Sequence, residues 1–206
     1  MASAHEPTAP ADIRAGSSLT AWMARSYDAA AAGYNDAFGA VQNVKYRAML
    51  ATPDVQSRLD LRVLDLGCGT GLLREFVISE PGLTTGLLAG WVGLDCSPNM
   101  LAQARDMGME TVCGDINALP FPDDSFDLIL AFTSLALMEG RESGEISEAL
   151  RVLRPDGLLV VTVLAIARDR FLTALQAHSV NILREIPCGQ DIGWVCGGAW
   201  QKRFGV

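Results

Sequence analysis

The sequence predicts an α/β fold with a mostly parallel sheet, and two observations carry this prediction. From Leu61 onward, short apolar runs alternate with amphipathic stretches of helical period, which is the pattern of parallel strands joined by crossover helices. The chain has 206 residues, enough for one substantial domain and too few for two. We therefore expect one domain over residues 17–206, preceded by a disordered tail over residues 1–16.

The beginning of this domain predicts helices. Residues 17–51 are alanine-rich, and the aromatic residues Trp22, Tyr27 and Tyr34 recur at intervals that place them on one helical face. We expect two helices before the first strand.

Five apolar runs predict the strands, and they cover residues 61–66, 91–95, 109–115, 126–132 and 157–167. The connections carry helix signals. Ser97 followed by Pro98 is typical of a helix N-terminus, and an apolar stripe over residues 146–153 ends at the turn sequence RPDG. A second stripe predicts a helix over residues 168–186, with His178 in the core or at its edge.

The C-terminal segment DIGWVCGGAWQKRFGV predicts an antiparallel hairpin. Two short apolar runs flank Gly197 and Gly198, and the favoured hairpin turn needs positive φ at both central positions. We expect this pair of strands to close the edge of the sheet.

The first predicted strand runs directly into three glycines, in the segment VLDLGCGTG. Gly67, Gly69 and Gly71 allow the backbone to approach a ligand where side chains would block it, although a structural tight turn would have a similar pattern. The spacing differs from the G-x-G-x-x-G pattern of nicotinamide dinucleotide enzymes, because the third glycine comes one residue early. Asp65 precedes these glycines, and its carboxylate would repel a pyrophosphate and attract an ammonium group.

Two further acids end the next two predicted strands. Asp95 lies where a carboxylate accepts hydrogen bonds from the 2′- and 3′-hydroxyls of a ribose, and Asp115 lies where an acid can accept one from an exocyclic amine. Either acid alone is explained equally well by a helix cap or a turn. Because the carboxyl ends of parallel strands meet at one edge of a sheet, we expect both acids to converge with Asp65 on one crevice.

With these motifs, the sequence resembles a class I S-adenosylmethionine-dependent methyltransferase. VLDLGCGTG matches the family's first motif, WVGLDCSPNML its second-strand acid, GDINALPFPDDSFDLILA its third and fourth strands, and LRVLRPDGLLVVTV the approach to its fifth strand. LPFPDDSFDLI is similar to the branch that methylates small molecules, quinones and lipids. The resemblance implies a Rossmann-like three-layer sandwich whose seven-stranded, mostly parallel sheet has an antiparallel last strand. It also implies that residues 17–60 form a helical lid over a core at residues 61–206.

The resemblance further implies which residues hold S-adenosylmethionine and its product S-adenosylhomocysteine. They are Asp65, Gly67, Cys68, Gly69, Gly71, Asp95, Cys96, Asp115, Ile116, Tyr27, Tyr34 and Phe132. The glycines would approach the methionine part, with Asp65 near its amino end. Tyr27 and Tyr34 would lie on helices that fold over the cofactor, but their helical spacing fits ordinary core packing at least as well.

The remaining implied roles concern the nucleoside. Asp95 would hold the ribose hydroxyls, and Cys96 would lie against the adenine. Asp115 would bond the adenine amine while Ile116 packs on the ring face.

No catalytic residue is predicted. Methyl transfer from a sulfonium is an in-line displacement, so the protein mainly has to align the acceptor and exclude water. After the fourth strand, AFTSLALMEGRES has neither an Asn/Asp-Pro-Pro-aromatic motif nor a histidine, and His5 falls in the predicted tail. Because little follows the fifth strand besides one helix and the hairpin, acceptor recognition is expected from the N-terminal helices and from loops near Phe132 to Arg141.

Composition and net charge limit the kinds of partner and metal site that we expect. A net charge of −8 argues against nucleic acid, whose binding depends on Lys and Arg at phosphates. The five cysteines are odd in number and lack C-x-x-C spacing, which favours reduced thiols over disulfides and predicts no metal site. Because no secretory signal or membrane-spanning run is visible, we expect a cytoplasmic protein, as a monomer or a homodimer.

Three functions remain open at this point. The favoured one is methyl transfer to a small-molecule acceptor. The alternatives are a methyltransferase acting on a protein or other macromolecule, and a non-catalytic S-adenosylmethionine-binding partner subunit. The missing base and the short acceptor region motivate the last alternative.

Overall fold

One mixed sheet is the centre of the fold in the computed structural model, which describes residues 19–83, 88–135 and 144–197. Its strands are β1 (Val63–Leu66), β2 (Trp91–Asp95), β3 (Glu110–Cys113), β4 (Phe126–Phe132), β5 (Leu153–Leu164), β6 (Ile182–Cys188) and β7 (Asp191–Gly197). They pair in the order β3-β2-β1-β4-β5-β7-β6, with β1 to β5 parallel and β7 antiparallel to both of its neighbours. The predicted seven-stranded sheet with an antiparallel last strand is confirmed.

Helices precede and connect these strands. They are α1 (Leu19–Ala30), α2 (Tyr34–Leu50), α3 (Pro53–Gln56), α4 (Leu72–Ser79), α5 (Pro98–Asp106), α6 (Glu145–Val152) and α7 (Arg168–Ala177). Ser97 caps α5 as its sequence predicted, because its hydroxyl accepts a hydrogen bond from the backbone nitrogen of Met100 at 3.2 Å. Within the described ranges, each helix is too short or too polar to cross a bilayer.

Each face of the sheet carries its own apolar layer. Along β4, Leu128 and Leu130 pack with residues of α2, α3 and α4, whereas Ile129 and Ala131 pack with residues of α6 and α7. This alternation follows from the two-residue period of a strand whose two faces are both covered. The result is the predicted three-layer sandwich.

The C-terminal part of the chain differs from its prediction in two respects. The helix expected over residues 168–186 ends at Ala177, and the second half of that stripe is strand β6. This strand lies at the sheet edge and pairs with β7 alone, so its side chains are mostly exposed and lack the apolar alternation that marks a strand. His178 follows α7 and is exposed, so its predicted place in the core or at its edge was wrong.

The antiparallel pair also turns at a different place. The hairpin joins β6 to β7 through Gly189, which has a φ of 72°, while Gly197 is the last residue of β7 and pairs with Leu158. The expected turn at Gly197 and Gly198 was therefore wrong, and residues 198–206 lie outside the described part. The tail predicted at residues 1–16 also lies outside it.

The strand order decides where a ligand can bind. Strand β1 has β2 on one side and β4 on the other, so the connections that leave β1 and β4 diverge to opposite sides. In open α/β sheets such a switch point opens a crevice beyond the carboxyl ends of the strands. The glycine segment and the strand-end acids all follow strands that end at this edge.

Candidate functional site

A cleft of about 820 Å³, including its open mouth, lies beyond the carboxyl ends of β1 to β4. It is lined by the predicted residues Tyr27, Tyr34, Gly67, Gly69, Asp95, Cys96, Asp115, Ile116 and Phe132, together with Thr20, Met23, Gln42, Met100, Gly114, Asn117, Thr133, Ser134 and Glu145. A smaller compartment of about 330 Å³ shares several of these residues and is also lined by Asp65 and Cys68. Of the predicted site residues, only Gly71 lines neither space among the described lining residues.

The turn after β1 depends on glycine backbone geometry. Gly67 and Gly69 have φ values of 80° and 52°, which residues with a side chain rarely adopt. A Cβ on Gly67 would lie 2.3 Å from the Cβ of Ser134, whereas one on Gly69 would meet nothing within 4 Å. A Cβ on Gly71 would lie 3.3 Å from Ala104 of α5. Gly67 and Gly69 therefore present backbone to the cleft, while Gly71 serves helix packing.

The Asp95 carboxylate ties the glycine turn to the end of β2. Its Oδ2 accepts a hydrogen bond from the backbone nitrogen of Gly69 at 2.9 Å, and its Oδ1 accepts one from that of Ser97 at 2.8 Å. Burial raises the pKa of Asp95, and these backbone donors oppose the rise. Each carboxylate oxygen has a second lone pair, so Asp95 can hold the turn and a ligand hydroxyl together.

The Asp115 carboxylate joins the end of β3 to α1. Its Oδ2 accepts a hydrogen bond from Thr20 Oγ1 at 2.7 Å, and its Oδ1 accepts bonds from Asn117 N and Nδ2 at 2.9 and 3.0 Å. Burial tends to raise the pKa of Asp115, but the bonds from Thr20 and Asn117 outweigh it and lower the pKa. Asp115 is therefore an anion at neutral pH.

Asp65 is the acid without a partner in the smaller compartment. It is 3% exposed, and its Oδ2 is buried with no hydrogen-bond partner among the described residues. Burial, followed by the charge of Asp95, raises the pKa of Asp65 to about 8. A buried carboxylate without a partner is unfavourable, so this oxygen fits a cationic or hydrogen-bond-donating group of a ligand.

Two cysteines also line the site, one in each compartment. Cys68 lines the smaller compartment, and burial followed by the charge of Asp65 raises the pKa of its thiol far above the usual range. Burial likewise raises the pKa of Cys96 to about 12. Both side chains are neutral thiols at physiological pH and act as small apolar groups.

The N-terminal helices are hydrogen-bonded to this edge of the sheet. Asp28 of α1 accepts a bond from Asn99 N at 3.0 Å, at the N-terminus of α5. Gln103 of α5 donates to the Ala31 carbonyl at 2.8 Å. These contacts place Tyr27 beside Tyr34 of α2, with ring centroids 6.3 Å apart.

The chain matches a family model described as a methyltransferase domain over residues 63–157. It is 36% identical over 143 residues to a malonyl-[acyl-carrier protein] O-methyltransferase of Methylococcus capsulatus, across 67% of this chain and 50% of that protein. A ubiquinone/menaquinone biosynthesis C-methyltransferase of Geobacter sulfurreducens is 34% identical over 134 residues, across 61% and 50%. The chain contains a methyltransferase domain of the class I, Rossmann-like type. It spans about half the length of these relatives.

Solved structures share the methyltransferase fold. A [4+2]-cyclase, SpnF, superposes with a TM-score of 0.59 at 23% identity, over 79% of this chain and 72% of that one. A Thermotoga maritima protein described as a possible histamine N-methyltransferase gives a TM-score of 0.58 at 20% identity, over 85% and 99%. At these identities the likeness establishes the fold alone.

Another part of the cleft contains Thr133, which belongs to the region near Phe132 to Arg141 that was expected to recognise the acceptor; residues 136–143 lie outside the described part. Thr133, directly after β4, has a φ of 55° and lines the cleft. Its Oγ1 accepts a hydrogen bond from Lys45 Nζ at 2.7 Å and donates one to Asp191 Oδ2 at 2.8 Å. Lys45 and Asp191 form an ion pair at 2.8 Å, with side chains 4% and 1% exposed. This buried pair joins α2 to β7 and fixes the hydroxyl of Thr133.

Two residues that the sequence analysis missed contribute buried polar atoms to the cleft. Gln42 of α2 and Glu145 of α6 line the cleft, and Gln42 Oε1 and Glu145 Oε2 are buried without a hydrogen-bond partner among the described residues. A signal for both existed. Gln42 shares a helical face with buried Met49, and Glu145 shares one with buried Ala149, so each is a polar residue on an apolar stripe.

Proposed function

We propose that this protein transfers a methyl group from S-adenosylmethionine to a small-molecule acceptor. The observation that carries the proposal is the convergence of a glycine turn and three strand-end acids, Asp65, Asp95 and Asp115, on two compartments that share part of their lining. The names of the relatives, which concern a carrier-bound malonyl group and a quinone, support a small acceptor.

The nucleoside part of the cofactor fits the larger cleft. Asp95 would accept hydrogen bonds from the ribose hydroxyls with its free lone pairs, and Asp115 would accept one from the adenine amine. Ile116 and Cys96 provide apolar surface for the adenine ring, since both line the cleft beside these acids. Phe132 forms part of the wall shared by both compartments.

The methionine part fits the smaller compartment. The unpartnered Oδ2 of Asp65 would accept a hydrogen bond from the amino group, and the cation would stabilise the carboxylate that burial disfavours. Gly67 and Gly69 line both compartments and present bare backbone there, which would let the cofactor approach closely. Cys68 and Gly71 would act by shaping this turn.

The bound cofactor supplies a methyl group on a sulfonium, which is already activated for displacement. The protein therefore contributes alignment and exclusion of water. Tyr27 and Tyr34, held by α1 and α2, would cover the site as the helical lid of residues 17–60. The acceptor would contact the cleft residues to which no cofactor role is given, Thr133, Gln42 and Glu145.

Turnover with cofactor labelled in its methyl group tests the proposal. A mixed metabolite extract incubated with the protein should acquire label, and digestion of the extract with protease beforehand should leave the incorporation unchanged. Protease-sensitive incorporation would favour a macromolecular acceptor instead. Tight cofactor binding with no incorporation from any extract would favour a non-catalytic partner subunit.

A further inference from the structure

Glu145 is a buried acid whose charge no described residue neutralises. It is the first residue of α6, it is 5% exposed, and it lines the cleft. Its Oε2 has no hydrogen-bond partner among the described residues. Burial, followed by the charge of Asp115, raises the pKa of Glu145 to about 7. Leaving such a group unpaired is costly, which points to a ligand as its partner.

The other acids of the larger cleft are already engaged. Both oxygens of Asp95 accept backbone hydrogen bonds, and both oxygens of Asp115 accept bonds from Thr20 or Asn117. Glu145 differs from them because its Oε2 makes no hydrogen bond to a described part of the chain. Among its described residues, the larger cleft thus contains two acids that hold the site together and one acid, Glu145, with an oxygen available to a ligand.

The described lining of both compartments also lacks positive charge. Among the described residues that line the two compartments, none is Lys, Arg or His. Lys45 lies next to Thr133 but is paired with Asp191, and Arg151 of α6 is paired with Glu148. A carboxylate acceptor would therefore meet an unpaired Glu145 and no described cation.

We infer that the acceptor is an amine or a hydroxyl compound, not a carboxylate, and that Glu145 takes the proton from its nucleophilic atom. The inference rests on the proposed methyl transfer. The lone pair of the nucleophilic nitrogen or oxygen forms the bond to the methyl carbon as the carbon–sulfur bond breaks, and the electron pair of that bond stays on sulfur. The proton of the nucleophile moves to Glu145 Oε2, which converts the carboxylate to a carboxylic acid.

Binding of matched probes tests Glu145 without turnover. The protein is saturated with S-adenosylhomocysteine at pH 8.5 and titrated by calorimetry with 2-phenylethylamine and with phenylacetate, which share an apolar body. The wild type should bind the amine at least 10-fold more tightly than the acid. In Glu145→Gln this preference should fall to threefold or less, because the neutral amide no longer attracts the cation or repels the anion.

Two controls test whether the change in probe preference is caused by Glu145 itself. Glu75→Gln removes an exposed charge on α4 and should retain the wild-type preference. Affinity of Glu145→Gln for S-adenosylhomocysteine should stay within twofold of wild type. Equal affinity of the wild type for the two probes, including no detectable binding of either, would contradict the inference. A large loss of S-adenosylhomocysteine affinity in Glu145→Gln would instead assign Glu145 to the cofactor and also overturn it.

Alkaline treatment of labelled products provides a second test. Methyl esters release volatile methanol in hot alkali, whereas methylated amines and methyl ethers retain their label. Products from a metabolite extract should keep most of their label after this treatment. Mostly volatile label would overturn the inference while leaving methyl transfer intact, and absence of any incorporation would count against the proposed function itself. Retention of the stable products on a cation exchanger separates amines from ethers.

Discussion

The strand-end side of the cleft and the helices around it differ in how their polar atoms are used. On the strand-end side, Asp95 and Asp115 have both carboxylate oxygens bonded to the chain. On the helices, Gln42 of α2 and Glu145 of α6, which cover opposite faces of the sheet, each present a buried oxygen without a described partner. The strand-end side is organised before any ligand arrives, which suits a constant cofactor. The two helix residues leave their bonds to the ligand, which suits recognition of a particular acceptor.

The largest expected effect tests how rigid the strand-end side of the cleft is, at the glycine turn after β1. Gly67→Ala should lower the free energy of unfolding through left-handed backbone strain of order 1–3 kcal/mol, plus about 1–3 kcal/mol of overpacking against the Ser134 Cβ. Gly69→Ala is the matched control, since its Cβ meets nothing within 4 Å and only strain remains. Urea unfolding should show the larger loss at Gly67. Equal losses would mean that the contact with Ser134 does not constrain the turn.

The next effect concerns how strongly Asp95, on the strand-end side, contributes to cofactor binding. Asp95→Ala should weaken binding of S-adenosylhomocysteine by about 10- to 100-fold, the range for removing a hydrogen bond to a charged group. Calorimetry measures the affinity, and Asp106→Ala on the exposed end of α5 is the control. If affinity is unchanged while the variant remains folded, Asp95 does not hold the ribose.

Asp65 connects cofactor binding with the pH dependence of stability. Its carboxyl has an ordinary pKa of 3.8 and a folded pKa of about 8, so between these values the folded state holds a proton that the unfolded state has released. Unfolding then releases a proton, and stability falls as the pH rises through this window. Thermal unfolding of the cofactor-free protein at pH 5 and pH 8 should show a smaller difference for Asp65→Asn than for wild type. If the variant shows an equally large difference in thermal unfolding between the two pH values, Asp65 is not the cause of that difference.

Asp65→Asn also tests which part of the cofactor Asp65 contacts. Asp65→Asn should weaken binding of S-adenosylhomocysteine, which carries the amino group, and leave the affinity for 5′-methylthioadenosine, which lacks it, within about twofold. Calorimetry with both ligands measures the contrast. Similar losses for both ligands would place Asp65 away from the amino group.

The smallest effects are expected at the two tyrosines of the helical cover. Tyr27→Phe and Tyr34→Phe keep the aromatic ring that lines the cleft, so kcat should fall by less than about 10-fold. Loss of a general base typically costs about 100-fold or more. A variant that is inactive at every pH with intact cofactor affinity would assign the base to that tyrosine and not to Glu145.

The cofactor side could be predicted from sequence because its residues follow consecutive strands in short motifs. Gly67, Asp95 and Asp115 were all named from their places at strand ends, and they line one cleft. The other side is assembled from distant segments. Lys45, Thr133 and Asp191 meet only in the folded sheet, and no local pattern joins them. The edge strand β6 was missed for a related reason, because exposure on a sheet edge removes the apolar alternation that identifies strands.

Calorimetric titration of the wild-type protein with S-adenosylmethionine, S-adenosylhomocysteine and NAD tests the central claim most directly. Asp65 and the spacing of the glycines favour an ammonium-bearing nucleoside over a pyrophosphate, so the first two ligands should bind and NAD should give no detectable heat. Tight binding of NAD, with no response to either S-adenosyl compound, would contradict the account.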